Sequence, residues 1–333
     1  MTRTLGAAVV GLGVGEQHAR AYARAEGCVL RWLHDLDRER ARRLAMELST
    51  EAANSYEQLL TDEGVDIVSI ATFDDAHAAQ VAEALRARKH VFVEKPLCRS
   101  REEVRTIKEL WAASGGRRLA SNLVLRAAPL YRWLRRSIAA GDLGTVYAFD
   151  GDYLYGRIHK LTEGWRKDVV DYSVLQSGGI HVIDLMLWLT GQLPTVVSAA
   201  GNRVCTAGTA FRYDDFAAAT FGFESGLIGR ITANFGCVHP HQHVVRIFGT
   251  EATFIYDDRG ARLQRGRSGE HQAQVIDEPP LPATKGDLIP SFVDSILHDA
   301  GPEGAQYEFD VISVCLAADR ALASGSQERV EYL

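Results

Sequence analysis

Ala8-Val9-Val10-Gly11-Leu12-Gly13-Val14-Gly15-Glu16 joins an apolar run to a helical pattern near the start of the 333-residue chain, and its reading decides the fold. Glycines lack the Cβ that would block a tight turn. They let backbone approach a pyrophosphate, whose charge the amides of a helix start can meet. Gly11, Gly13, Val14 and Gly15 are therefore the expected phosphate contacts. The spacing reads GxGxG, one residue short of the GxGxxG fingerprint. Glycines punctuate many turns, so the weight falls on context: a strand before the loop, a helix after it, and alternation beyond.

That alternation runs on to Asn122. Short apolar runs at 5–10, 29–34, 65–72, 91–94 and 119–122 read as strands, and 17–25, 38–48, 76–88 and 101–111 read as helices. Ser100 and Glu103 form a capping box, after which Val104, Ile107 and Trp111 make a buried stripe. Strict β/α alternation implies a parallel sheet with helices on both faces. After Asn122 the character changes. Helices at 128–140 and 180–189 stop at Gly141 and Gly191, and strands follow at 146–155, 196–204, 216–223, 227–235, 244–248 and 253–256. Glu224-Ser225-Gly226 is a hairpin turn, 259–274 reads as a solvated loop or edge hairpin, and 310–323 is helical. The prediction is an α/β doubly wound dinucleotide-binding domain over 1–122 and an α+β domain over 123–333 with an open, mostly antiparallel sheet. The C-terminal helix either stays in the second domain or packs back on the first.

Bulk properties narrow the function classes. The chain is 46% hydrophobic and 24% charged, as in a soluble globular protein, and its net charge of −6 argues against nucleic acid as a partner. Cys28, Cys98, Cys205, Cys237 and Cys315 are scattered with no CxxC, which argues against disulfides and cysteine zinc sites. No run approaches the roughly 18 apolar residues of a membrane helix, and no signal peptide is evident. A cytoplasmic location with no membrane partner is expected.

Asp35 follows the second strand, about 20 residues beyond the loop, where a carboxylate can bind an adenosine ribose and repel a 2′-phosphate. This favours NAD over NADP, although Arg38 leaves NADP use open. Alternatively Asp35 caps the next helix, a role Asp37 could fill.

His90-Val91-Phe92-Val93-Glu94-Lys95-Pro96-Leu97, together with the glycine loop, resembles the glucose-fructose oxidoreductase/inositol dehydrogenase/MocA-like (Gfo/Idh/MocA) family. Val65-Asp66-Ile67-Val68-Ser69-Ile70-Ala71-Thr72 with His77 is similar to that family's fourth strand and the loop under the cofactor. Gly178-Gly179-Ile180-His181-Val182-Ile183-Asp184-Leu185 is similar to its C-terminal-domain helix signature, and Ala318–Gly325 fits its ending. The resemblance spans nearly the whole chain. It implies a nicotinamide-dependent oxidoreductase acting on a sugar, cyclitol or nucleotide sugar, with Lys95 and His181 as catalytic residues. Thr72, His77, Glu94, Lys95 and Asn122 would contact the cofactor; Arg126, Trp165, Arg166, Ser177 and Asp184 would lie toward the small polyhydroxylated substrate. A homodimer or homotetramer through the second sheet is also implied.

The residues support parts of this independently. Lys95 ends an apolar strand at the carboxyl edge of a parallel sheet, where ligands bind, and a lysine there can lower a hydroxyl's pKa or move its proton. Asp184, one turn after His181, could orient the imidazole or simply serve the helix dipole. The chain departs from the family in three places. Inositol-dehydrogenase-like members carry an aspartate four residues before the histidine, where this chain has Ser177; Phe73-Asp74 replaces the usual Pro-Asn; and the glycine loop is short. Either Lys95 and His181 suffice, or Asp168, Asp171 or Tyr172 from the preceding segment reaches in for the missing aspartate. His239-Pro240-His241-Gln242-His243 invites a metal reading, but no carboxylate or cysteine is spaced to complete it, so no metal is expected and one histidine could line the pocket. Two other functions remain: a tightly NAD-bound enzyme that uses transient oxidation for elimination or glycoside cleavage, and a non-catalytic dinucleotide sensor.

Overall fold

The first strand, Leu5–Val10 (β1), is apolar and buried along its full length, as expected of a strand covered on both faces. In the computed structural model, which describes residues 4–268, 272–299 and 303–333, it lies at the middle of a six-stranded parallel sheet. The other strands are Cys28–His34 (β2), Glu51–Ala52 (β3), Ile67–Ile70 (β4), His90–Val93 (β5) and Leu119–Ser121 (β6), in the order β3-β2-β1-β4-β5-β6. Helices Gly15–Tyr22 (α1), Arg38–Glu47 (α2), Tyr56–Thr61 (α3), His77–Arg86 (α4) and Arg101–Ala113 (α5) make the crossovers. Ser100 and Glu103 form the expected capping box on α5. The strand order reverses between β1 and β4, so the loops leaving their carboxyl ends part there and open a crevice.

This sheet belongs to a compact unit of Met1–Val124, Pro282–Ile312 and Leu333; the second unit is Leu125–Leu281 with Ser313–Tyr332. The periodicity of the sequence alone puts the break after 122 and leaves 282–312 with the second domain. In the first unit, helix Ile289–Leu297 (α9) adds Ile289, Phe292 and Val293 to a core of Leu5, Val9, Tyr22, Leu33 and Phe92. The Phe92 and Phe292 rings sit 5.4 Å apart. Full burial of each such side chain is worth about 2 kcal/mol. The division between units falls within the long helix Glu303–Ser324 (α10).

In the second unit a nine-stranded sheet runs β14-β13-β12-β11-β7-β10-β9-β8-β15. Its strands are Val146–Leu154 (β7), Val196–Asn202 (β8), Phe216–Gly222 (β9), Ile228–Asn234 (β10), Gln242–Gly249 (β11), Thr253–Asp257 (β12), Gly260–Gln264 (β13), Gln274–Ile276 (β14) and Glu328–Arg329 (β15). All pairings are antiparallel except β7 with β10, because β7 inserts at the centre between β10 and β11. The stretch 259–274 is an edge hairpin of β13 and β14, with 269–271 outside the described residues. Helix Ile180–Thr190 (α8) lies on β7 and is buried almost all round, as its apolar sequence requires. Its close approach is possible because Gly151 of β7 has no side chain: a Cβ there would sit 3.0 Å from that of Val182. Helix Pro129–Ala139 (α6) packs against α8, and the short turn His159–Thr162 (α7) follows β7. Gly141 and Gly191 end these two helices at φ of +80° and +66°.

Candidate active site

Every cofactor residue named from sequence in the first unit lies at or beside the carboxyl edge of the parallel sheet. Gly11 turns the chain out of β1 at φ +81°, and a Cβ there would come within 2.5 Å of the Ala71 carbonyl oxygen. Gly13 faces open space, with nothing within 4 Å of a Cβ. Gly15 opens α1 against the sheet, where a Cβ would sit 3.1 Å from the Ala71 Cβ and 3.2 Å from Val9 Cγ1. Gly11 and Gly15 thus fill the roles of turn and helix packing, and Gly13 leaves its side of the loop open. The missing residue is taken from between the last two glycines, so α1 begins directly after the exposed Val14.

Asp35 does not cap α2. Asp37 does, accepting from the Arg40 N–H, while Asp35 accepts from the Leu12 and Asp37 amides and so braces the glycine loop from the end of β2. Thr72 Oγ1 donates to Gln80 Oε1 at 2.6 Å. His77 is fully buried, its Nδ1 2.7 Å from the Pro96 carbonyl and its Nε2 3.3 Å from that of Thr72. It ties the loops after β4 and β5 together.

Glu94 and Lys95 leave β5 half-buried. Glu94 is the hub of a network invisible in the motif itself. Its Oε1 lies 3.2 Å from His18 Nε2 and accepts from Asn122 Nδ2 at 2.6 Å; His18 Nδ1 is 3.0 Å from Ser69 Oγ. Asn122 Nδ2 also donates to the Lys285 carbonyl at 2.8 Å. Burial pushes the Glu94 carboxyl up, but His18, the Lys95 charge and Asn122 outweigh it and hold it at about 2. Asn122 Oδ1 is buried and accepts no hydrogen bond from the described residues. The open side of Gly13, the first-turn amides of α1 and this spare acceptor together fit a dinucleotide, with its pyrophosphate at the loop and an amide donor available to Asn122. Sequence reasoning missed His18 and Lys285. The signal for His18 was its place on α1, three residues after Gly15 and on the same helix face as Tyr22.

The second unit carries the residues named for substrate. His181 is buried in the first turn of α8, which continues a π-helical turn over Leu175–Gly179. Its ring stacks 6.0 Å from Tyr153 and lies 5.8 Å from His243. His241 and His243 face the same side, 4.9 Å apart, and both meet Tyr153 edge-on. Tyr155 and Phe235 complete the set. Burial pushes the Tyr153 hydroxyl well up, so it stays a protonated donor at neutral pH. The tyrosines were legible in principle: alternation along β7 puts 149, 151, 153 and 155 on the face that α8 covers.

Asp184 is clasped by Arg126, with Nε to Oδ1 and Oδ2 at 3.0 and 3.1 Å and Nη2 to Oδ1 at 2.6 Å. This pair locks α8 to the turn Val124–Ala127. Ser177 is buried in the π-helical turn, its N–H bonded to the Ser173 carbonyl at 2.9 Å. Trp165 and Arg166 form a short turn, the guanidinium 4.6 Å from the indole ring centre. Of the three residues weighed as substitutes for an aspartate, Tyr172 reaches the aromatic set, 6.4 Å from Phe235; Asp168 is exposed and Asp171 donates its N–H to the Tyr213 hydroxyl. No group of three or more His, Cys, Asp or Glu side chains fit to hold a metal occurs among the described residues. No described helix is long and apolar enough to cross a membrane.

Comparison with known proteins follows the same two halves. Residues 5–122 match the oxidoreductase family with an NAD-binding Rossmann fold, and 131–255 match the GFO/IDH/MocA C-terminal domain. Inositol 2-dehydrogenase 3 of Saccharopolyspora erythraea is 26% identical over 328 residues, 97% of this chain and 94% of that one. The 2,7-anhydro-N-acetylneuraminate hydratase of Escherichia coli is 26% identical over 276 residues, covering 79% and 71%. The solved structure of levoglucosan dehydrogenase with NADH has the same fold, with a TM-score of 0.86 at 20% identity over 99% of this chain and 100% of that one. The two domain matches together take in most of the chain, which belongs to the GFO/IDH/MocA oxidoreductase family.

Proposed function

We propose that the protein is a dehydrogenase that oxidises a secondary alcohol of a small polyhydroxylated substrate, such as a sugar or cyclitol, with Lys95 and His181 handling the hydroxyl proton. The observation that carries this is the setting of Lys95: an ammonium at the sheet's carboxyl edge, held between a Glu94 fixed by His18 and Asn122 and a Pro96 fixed by His77. A lysine on so rigid a turn, with the ionised Glu94 beside it, can polarise a hydroxyl without drifting. The bound nicotinamide supplies hydride acceptance. Gly11, Gly13, Val14 and Gly15 would hold the pyrophosphate, Asp35 the ribose, and Asn122, with the Thr72 and His77 loop, the nicotinamide side. Asp35 favours NAD over NADP.

In the second unit, His181 offers an imidazole stacked by the Tyr153 ring, and the tyrosines give an apolar floor with polar rims that suits the face and hydroxyls of a sugar ring. Ser177 supplies no carboxylate, so Lys95 and His181 would share the proton work alone. Relatives named inositol 2-dehydrogenase and levoglucosan dehydrogenase support the substrate class.

The test is a screen of sugars and cyclitols with NAD and NADP, following reduced-cofactor absorbance. Lys95→Ala and His181→Ala are each expected to lower kcat at least 100-fold, and His181→Ala to leave NADH binding within threefold; full turnover by either would sink the assignment. A second reading, transient oxidation that drives elimination, is favoured by the hydratase relative. Under it, product would form with no net NADH.

A further inference from the structure

Ser173 and Gln176 lead into and begin the π-helical turn that carries Ser177 and runs directly into α8. Both are held from α10. Asp319 Oδ1 accepts from Ser173 Oγ at 2.7 Å, and Oδ2 accepts from Gln176 Nε2 at 2.7 Å. Ser173 Oγ in turn accepts from the Gln176 N–H at 3.1 Å, and the Ser173 carbonyl from the Ser177 N–H at 2.9 Å. A chain of hydrogen bonds thus runs from Asp319 to Ser177, four residues before His181.

The carboxylate is an expensive way to make these contacts. This part of α10 is otherwise apolar, with Val314, Cys315, Ala317, Ala318 and Ala321 buried. Its charged neighbour Arg320 turns elsewhere, to the Arg329 carbonyl and Glu328. Burial pushes the Asp319 carboxyl up to about 6, and the two neutral donors only partly offset it. An asparagine of the same shape would avoid the buried charge, but it could accept from only one of the two donors and would turn an NH2 toward the other. What the carboxylate provides is acceptance at both oxygens. π-helical turns recur at functional sites.

We propose that Asp319 is a positioning residue: its two hydrogen bonds fix the π-helical turn and so set where Ser177 and His181 meet substrate. This rests on the reading of His181 as a proton-handling group. The test is Asp319→Asn in the full chain. The melting temperature at pH 7.5 is expected to stay level or rise, because a buried charge is gone, while kcat falls at least tenfold and NADH affinity holds within twofold. A residue with a merely structural role would lose stability and activity together. A kcat within twofold of wild type, or a melting temperature that falls in step with kcat, overturns the proposal. Amide hydrogen exchange over 175–181 reads the positioning without any substrate. It should rise at least tenfold in Asp319→Asn with β1 and β5 unchanged, and unaltered exchange there overturns the proposal as well. Retained turnover in His181→Ala would instead sink the reading beneath it, and the exchange result would stand on its own.

Discussion

Gly11 and Gly13 lie two residues apart and answer to different constraints. Gly11 is fixed by the protein itself: its φ of +81° and the Ala71 carbonyl leave no room for a Cβ. Gly11→Ala should therefore cost about 1–3 kcal/mol of stability in urea unfolding, with or without cofactor. Gly13 meets nothing within 4 Å, so Gly13→Ala should leave stability within about 0.5 kcal/mol while weakening NADH binding about tenfold or more by fluorescence titration. Equal effects of the two on stability would show that the open side of Gly13 is not reserved for a ligand. Glu94 gives a pH test at the same scale. Its carboxyl is lowered from about 4.5 to about 2 by contacts made only in the folded chain. A depressed acid contributes stability that is present above its unfolded value and lost as pH falls toward the folded one. Glu94→Gln should lower stability at pH 7 by up to about 3 kcal/mol, and the gap from wild type should narrow from pH 5 downward. A gap that stays constant with pH would show that charge is not its source. Lys95 and Asp35 stood out in the sequence because each follows a strand. His18 did not, since a buried histidine on an amphipathic helix looks like any core residue until Ser69, Glu94 and Asn122 are folded around it.

Among the elements, those with long periodic signals were readable and those with short ones were not. β1 is an unbroken apolar run, β5 is one after His90, and α5 announces its start with a capping box. β3 spans only Glu51–Ala52 and α3 only Tyr56–Thr61, too few residues to show a period. The π-helical turn before α8 is set by packing and by Asp319, and nothing in the spacing of residues 175–179 marks it out in sequence. The central, partly parallel placement of β7 departs from hairpin order, so the succession of strands in sequence does not show it. The α8 element also carries a test. Asp184 is 1% exposed and its clasp with Arg126 is bidentate, so removing either partner leaves a charge in a poor environment. Asp184→Ala should cost about 3 kcal/mol or more in urea unfolding. In the double variant with Arg126→Met the loss should be well short of the sum of the singles, and strict additivity would mean the pair is not coupled.

At the scale of the molecule, the α/β and α+β halves could be read from the switch in periodicity near residue 122. The return of 282–312 to the first unit could not, because α9 is one short amphipathic helix that would suit either core and only its contacts with Leu5, Tyr22 and Phe92 decide. The second sheet raises the question of what covers its other face. Phe149, Ile231 and Ile247 point to the side bearing α8, whereas Leu154, Ile228 and Phe248 alternate to the opposite side and keep part of their surface exposed. Charges on that side are matched within the sheet, Arg230 to Asp150 at 2.7 Å and Arg246 to Asp152 at 3.2 Å, leaving a face with apolar residues set among neutralised pairs. Such a face can pair with its own copy, and a stable dimer would need more than about 1,000 Å² buried there. Sedimentation velocity at micromolar concentration should show a dimer or tetramer. Leu154→Glu with Ile228→Glu should reduce it to monomer by placing unpaired carboxylates in the contact. NADH binding should survive that change, because the glycine loop and Glu94 belong to the other unit. A wild-type chain that sediments as a monomer, or a double variant that stays assembled, would rule out this face as the interface.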